Sequence, residues 1–136
     1  PVLHHSLLFL SALRFPITMP TIGETGVEFT HVAREWRCKY TMDADGTPAK
    51  SESLKACQAL LAEYLPKLKA DLPTAEISRV VCGGCGDFKV IINHPVDDHG
   101  PWEGKAFAPE AEFIAKLTAI EGTSRVETQT YTLEKL

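Results

Sequence analysis

The sequence predicts an α+β domain in which helices cover one face of a four-stranded antiparallel sheet. Three observations carry that expectation. Strand-like runs occur at four places, two amphipathic helical patterns separate them, and a glycine-rich segment, Cys82-Gly83-Gly84-Cys85-Gly86, joins the middle two runs as a hairpin turn. The order strand, helix, strand, strand, helix, strand is the split βαβ arrangement, a ferredoxin-like βαββαβ sandwich with two helices on one face. Each strand-helix-strand passage returns right-handed over the same sheet face, so the opposite face is left open.

The first run, Val27 to Tyr40, is rich in strand formers, and Trp36, Cys38 and Tyr40 alternate with Arg37 and Lys39. Val27 and Phe29 fall on the opposite parity from Val32 and Trp36, which predicts a bulge or twist in a long strand. Met42 to Lys50 holds Asp43, Asp45, Gly46 and Pro48 and reads as a loop. Leu54, Cys57, Leu61, Tyr64, Leu65 and Leu68 then recur at helical spacing, with Ser51 or Ser53 as N-cap. Pro66 lacks an N–H and crowds the carbonyl four residues earlier, so the helix is expected to end or kink there.

Ile77 to Val81 and Phe88 to Ile92 flank the glycine-rich hairpin, and Asn93-His94-Pro95 stops the second of them. A second helix is signalled by Pro109 at a first turn, by Glu110 and Glu112 where the macrodipole favours acids, and by Phe113, Leu117 and Ile120 on one face. Gly122 is its expected stop. Ser124 to Leu133 alternates threonines with Glu127, Gln129, Tyr131 and Leu133 as a last strand. On such a sheet Arg37 and Lys39, with Arg79, Lys89 or Arg125, are expected to point outward, which makes the open face basic. A solvated sheet face is the plain alternative, and assembly of copies through that face is another.

Composition sets the outer bounds. A chain of 136 residues, 44% hydrophobic and 24% charged, has the length of one packed domain. A net charge of -4 and a pI near 5.7 argue against a general grip on nucleic acid, which needs a concentrated positive surface. Leu7-Leu8-Phe9-Leu10 is apolar but too short to span a bilayer, and no Lys or Arg precedes it as in a signal peptide. No membrane partner is therefore expected. Residues 1–26 read as an N-terminal extension, either upstream of a natural start at Met19 or packed as an apolar tail, and 27–136 as the domain. Cys38, Cys57, Cys82 and Cys85 are too sparse for a disulfide framework, so reduced thiols and a cytoplasmic location are expected.

The candidate chemistry is thin. Cys82 and Cys85 have the spacing of a redox pair or of half a zinc site, but a strand rather than a helix follows them. The dipole that activates a thiol is missing from that pattern, and a structural turn is the first reading. Zinc needs four ligands, so Cys38, Cys57, His94 or His99 would have to converge from other elements. His94-Pro95-Val96-Asp97-Asp98-His99 places two imidazoles and two carboxylates in one loop, a set able to bind a divalent metal or move protons. No phosphate-binding loop, nucleophile elbow or His-Glu-x-x-His pair occurs, so no catalytic residue and no cofactor is assigned. Trp36, Phe88 and Phe113 read as core. Trp102 and Phe107, beside glycine and proline, read as loop packing or as an exposed partner anchor.

The segment Val80-Val81-Cys82-Gly83-Gly84-Cys85-Gly86-Asp87-Phe88-Lys89-Val90 resembles the glycine-containing hairpin of the guanine-nucleotide exchange domain of translation elongation factor 1 beta. Ile120 to Glu127 is similar to the passage from helix to last strand in archaeal members, and Glu134-Lys135-Leu136 matches the family's terminal lysine followed by one apolar residue. The resemblance covers roughly residues 27 to 136. It implies a non-catalytic, protein-binding domain that acts on elongation factor 1 alpha, with Lys135 entering the nucleotide site and Phe88 and Lys89 in the partner-binding hairpin. An ammonium group near Mg²⁺ competes for the metal's oxygen contacts and speeds GDP release. The alternatives from the residues themselves are a ferredoxin-like module that binds a ligand or a second copy, and a Cys-x-x-Cys protein active in thiol redox or zinc binding.

Overall fold

The structure is a computed structural model and describes residues 19–136. The readings for residues before Met19 lie outside the described residues. The chain divides into two compact units, one ending at Thr30 and one spanning His31–Leu136. In the first, Thr21 and Glu28 form an antiparallel bridge, with Phe29 N donating to Pro20 O at 3.0 Å and Ile22 N to Val27 O at 2.9 Å. Val27 and Phe29 thus belong to a small hairpin and not to the long strand expected over 27–40. Their opposite parity reflects a separate element, not a bulge.

The second unit contains β1 (His31–Lys39), α1 (Glu52–Asp71), β2 (Glu76–Val81), β3 (Asp87–Pro95), α2 (Val96–Glu103), α3 (Glu110–Ala119) and β4 (Ser124–Thr132). It is an α+β unit with an open four-stranded sheet in the order β4-β1-β3-β2, every neighbouring pair antiparallel. Three helices accompany the sheet where two were expected. The addition is α2, whose eight residues include Pro101 and carry no helical apolar repeat, so periodicity gave no sign of it.

Alternation along the strands sorts the residues. Trp36 and Cys38 of β1 and Phe88, Val90 and Ile92 of β3 are buried with Cys57, Leu61, Tyr64 and Leu68 of α1 and Phe113 and Leu117 of α3. Each fully buried large side chain contributes about 1.5–3 kcal/mol. Ser51 caps α1 by accepting from Leu54 N at 3.1 Å. The helix does not end at Pro66 but runs to Asp71, because Leu68, two residues beyond the proline, is fully buried and holds the last turn against the core. Among the described residues no helix is long and apolar enough to cross a membrane.

The junction of α3 with β1 is polar. Arg34 donates to both carboxylate oxygens of Glu110, from Nε at 2.7 Å and from Nη2 at 2.9 Å, and Trp36 Nε1 donates to Glu110 Oε2 at 2.7 Å. Glu110 therefore sits in the first turn of α3 both for the macrodipole and as acceptor for two side chains of β1.

The opposite sheet face is not the basic surface expected. Arg37 and Lys39 do lie there, but Asp87 Oδ1 is 2.6 Å from Lys39 Nζ, and Arg37 Nη1 is 3.4 Å from Glu35 Oε2. Tyr131 donates to Glu35 Oε1 at 2.8 Å. Arg79 belongs to the helix-covered side, where its Nη1 donates to Gln58 Oε1 of α1 at 2.7 Å. Alternation placed Arg37 and Lys39 on this face but misplaced Arg79; the acids opposing the first two come from the same strand and its neighbour, which only register reveals.

Candidate functional site

The residues expected to act together in a partner interface do not converge. Phe88 is fully buried in the core, and Lys89 on the other side of β3 is half-buried. Lys135 is exposed beyond β4 in a shallow depression with Glu76 and Asn93, at the far end of the sheet from the hairpin. About 17 Å of strand separates Phe88 from Asn93.

Cys82 and Cys85 are joined by a disulfide, so the reduced thiols that the sparse cysteines favoured hold for Cys38 and Cys57 and not for this pair. Cys38 and Cys57 are free and buried, their sulfurs 3.8 Å apart between β1 and α1. The cysteines thus form two separate pairs. Among the described residues no group of three or more His, Cys, Asp or Glu side chains is placed to hold a metal ion.

The loop of histidines and acids does assemble. β3 ends at Pro95, α2 begins at once, and the turn between them brings His94 Nε2 to 3.2 Å from His99 Nδ1. His94 is wholly buried and His99 nearly so. Burial pushes both imidazoles below the usual histidine range, and the neighbouring His99 pushes His94 further in that direction. Asp98 accepts from Thr74 Oγ1 at 2.7 Å, whereas Asp97 is exposed.

Beside His94 the structure forms a cleft of about 420 Å³, walled by His94, by Thr74 and Leu72 after α1, by Asp98 and Trp102 of α2, and by Lys105. His94 Nδ1 is buried and has no hydrogen-bond partner among the described residues. Trp102 is buried, edge-on to His94 at 5.4 Å between ring centroids, and donates from Nε1 to Ala108 O at 3.0 Å. It is therefore packed and not an exposed partner anchor. Phe107 is half-buried beneath the Arg34 guanidinium, whose carbon lies 4.1 Å from its ring centroid. Ala106 and Phe107 both have φ near +55°, at 55° and 56°, so the segment between α2 and α3 holds two consecutive side-chain-bearing residues in left-handed backbone.

Sequence reasoning found His94, Asp98 and His99 but not Thr74, Lys105 or the cleft itself. Those residues come from two loops that no periodic pattern marks. No family model, no curated protein and no solved structure matches this chain.

Proposed function

We propose that the chain is a ferredoxin-like ligand-binding module whose cleft at His94 takes a small molecule with a planar apolar body and one hydrogen-bonding group. The ferredoxin-like reading is supported by two strand-helix-strand passages that each return across an intervening strand, from β1 over β3 to β2 and from β3 over β1 to β4. Helix α2 is a departure from the two-helix pattern.

One observation carries the binding reading: His94, a wholly buried imidazole with one ring nitrogen left without a partner, lines the cleft. An unsatisfied buried polar atom costs about 1–3 kcal/mol, and a ligand group that bonds it recovers that cost. Leu72 and Trp102 supply the apolar wall and Lys105 a cation at the rim.

Titration of the ¹⁵N-labelled protein with benzamide, imidazole and benzoate as probes tests this. Shifts centred on Thr74, Asp98 and Trp102, lost in folded His94→Phe, are expected. No shift with any probe at millimolar concentration, or shifts unchanged in His94→Phe, overturns the reading.

The exchange reading rests on a different observation, the exposed ammonium of Lys135 beyond β4. In this second proposal Lys135 loosens Mg²⁺ and GDP on elongation factor 1 alpha. The release rate of fluorescent GDP with and without the protein, and with Lys135→Ala, tests it. Unchanged release with the intact chain retires it.

A further inference from the structure

The Cys82–Cys85 disulfide closes a turn that is already held without it. Gly86 N donates to Cys82 O at 3.1 Å, Cys82 N to Asp87 O at 2.9 Å, Tyr40 Oη to Cys82 O at 2.8 Å and Lys39 Nζ to Cys85 O at 2.8 Å. Opening the S–S bond therefore leaves the hairpin between β2 and β3 in place, with both sulfurs positioned to re-form it. A purely structural staple would be redundant here.

The two sulfurs are unequal. Cys85 is exposed and Cys82 is half-covered, so an incoming reagent reaches Cys85 first. The backbone N–H of Cys85 donates to Cys82 Sγ at 3.1 Å, and a donor at that distance stabilises a thiolate on Cys82. This N–H supplies what a helix N-terminus supplies in other Cys-x-x-Cys turns, which the sequence pattern lacked. Asp87 Oδ2 lies 3.4 Å from Cys85 Sγ, and Lys39, followed by Arg37, keeps that carboxylate ionised by holding it below the usual range. A negative charge there disfavours thiolate on Cys85 and accepts its S–H once the bond is opened.

We propose that Cys82–Cys85 is an exchangeable disulfide, a site for thiol reductants in which Cys85 is the sulfur attacked and Cys82 the sulfur that leaves. An external thiolate attacks Cys85 Sγ, the new S–S bond joins the reagent to Cys85, and the bonding pair departs on Cys82, stabilised by the Cys85 N–H. A second external thiolate attacks the reagent sulfur of the mixed disulfide. It releases the oxidised reagent, while Cys85 leaves with the electron pair and takes a proton from solvent beside Asp87. The balance is one protein disulfide and two thiols converted to two protein thiols and one external disulfide. The site lies at the opposite end of β3 from His94 and does not depend on the cleft.

Brief exposure of the unreduced full chain to reduced glutathione, followed by quenching with N-ethylmaleimide and peptide mapping, reads the order of events. Glutathione on Cys85 with maleimide on Cys82 is expected, favoured about tenfold over the reverse. Asp87→Asn, which removes the charge that repels the incoming thiolate, is expected to raise the rate of adduct formation several-fold without changing its position. Glutathione mainly on Cys82, no adduct at all, or four titratable thiols in the unreduced, denatured chain overturns the proposal.

Discussion

His94 Nε2 and His99 Nδ1 stand 3.2 Å apart inside the protein, so one imidazole must donate its proton to the other, and the pair is compatible with both rings neutral. Burial holds both below the usual range; Asp98 opposes this at His94, and Glu103 at His99. A depressed histidine stays neutral in the folded state while the unfolded ring takes a proton near pH 6.5. The stability is therefore full above about pH 6.5 and falls as the pH drops from there toward the lowered folded values. Each imidazole contributes a slope of at most about 1.4 kcal/mol per pH unit in that window. Urea midpoints between neutral pH and about pH 5.5 should decline in the wild type and decline less steeply in His94→Phe; equal slopes would show that the pair is not the titrating element.

Glu110 should be the most sensitive single polar residue at the seam between α3 and β1. It accepts two bonds from Arg34 and one from Trp36, and both ends of the ion pair are only 15% exposed. Glu110→Ala leaves the Trp36 indole N–H without its acceptor and the Arg34 guanidinium without a counter-charge, holding only Thr128 and Thr130, at a cost of about 2–4 kcal/mol. Glu110→Gln keeps an oxygen for one donor and should lose about half as much. Chemical denaturation of the three proteins checks the ranking; an Ala variant within about 0.5 kcal/mol of wild type would show that water replaces the carboxylate.

The strand-and-hairpin order was legible because its residues repeat: Trp36 and Cys38, Phe88 and Val90, and Cys57, Leu61 and Leu68 are spaced by the geometry that buries them. Three features were not legible, each for its own reason. Helix α2 is held by packing of Trp102 against its surroundings and carries no apolar stripe. The continuation of α1 past Pro66 depends on the burial of Leu68, a tertiary effect that outweighs a local propensity. The cleft joins Thr74, His94 and Lys105, which are far apart in sequence and lie on segments without periodicity. By contrast His94, Asp98 and His99 were found because the loop is short enough to keep them close however it folds.

Gly122 is required twice over. Its φ is +96°, and a Cβ added there would lie 2.9 Å from the Cβ of Ser53 at the start of α1. Thr41 Oγ1 also donates to Gly122 O at 2.7 Å, so the backbone cannot simply withdraw. Gly122→Ala should cost about 1–3 kcal/mol. In a Ser53→Gly background the steric part disappears and only the backbone part remains. Thermal denaturation of the two single variants and the double variant separates the contributions; additive effects would mean that the close approach contributes nothing.

Ala106 is the converse case. It holds φ +55° with a side chain, next to Phe107 at +56°, and glycine adopts that backbone without the Cβ conflict. Ala106→Gly should therefore stabilise the fold by up to about 1 kcal/mol, the relief of strain exceeding the added freedom of the unfolded chain. A loss of stability instead would mean that the unfolded-state entropy dominates.

Cys38 and Cys57 should behave unlike the hairpin pair. They are 1% and 0% exposed beneath the core, and the adjacent Cys57 sulfur together with burial pushes the Cys38 thiol far above the usual range. The hydrogen bond with Cys38 draws the Cys57 thiol the other way, below the usual range, but both sulfurs are covered, so modification of either must wait for unfolding. In native, unreduced protein a maleimide should label neither residue on the timescale that labels an exposed thiol; in denaturant it should label both and leave Cys82 and Cys85 untouched until a reductant is added. The labelling rate of Cys57 should also track global stability, falling in any variant that raises the denaturation midpoint. Fast native labelling of Cys38 or Cys57 would place the opening of α1 from the sheet well below the global unfolding free energy, and would make that seam, not the core as a whole, the weak point of the fold.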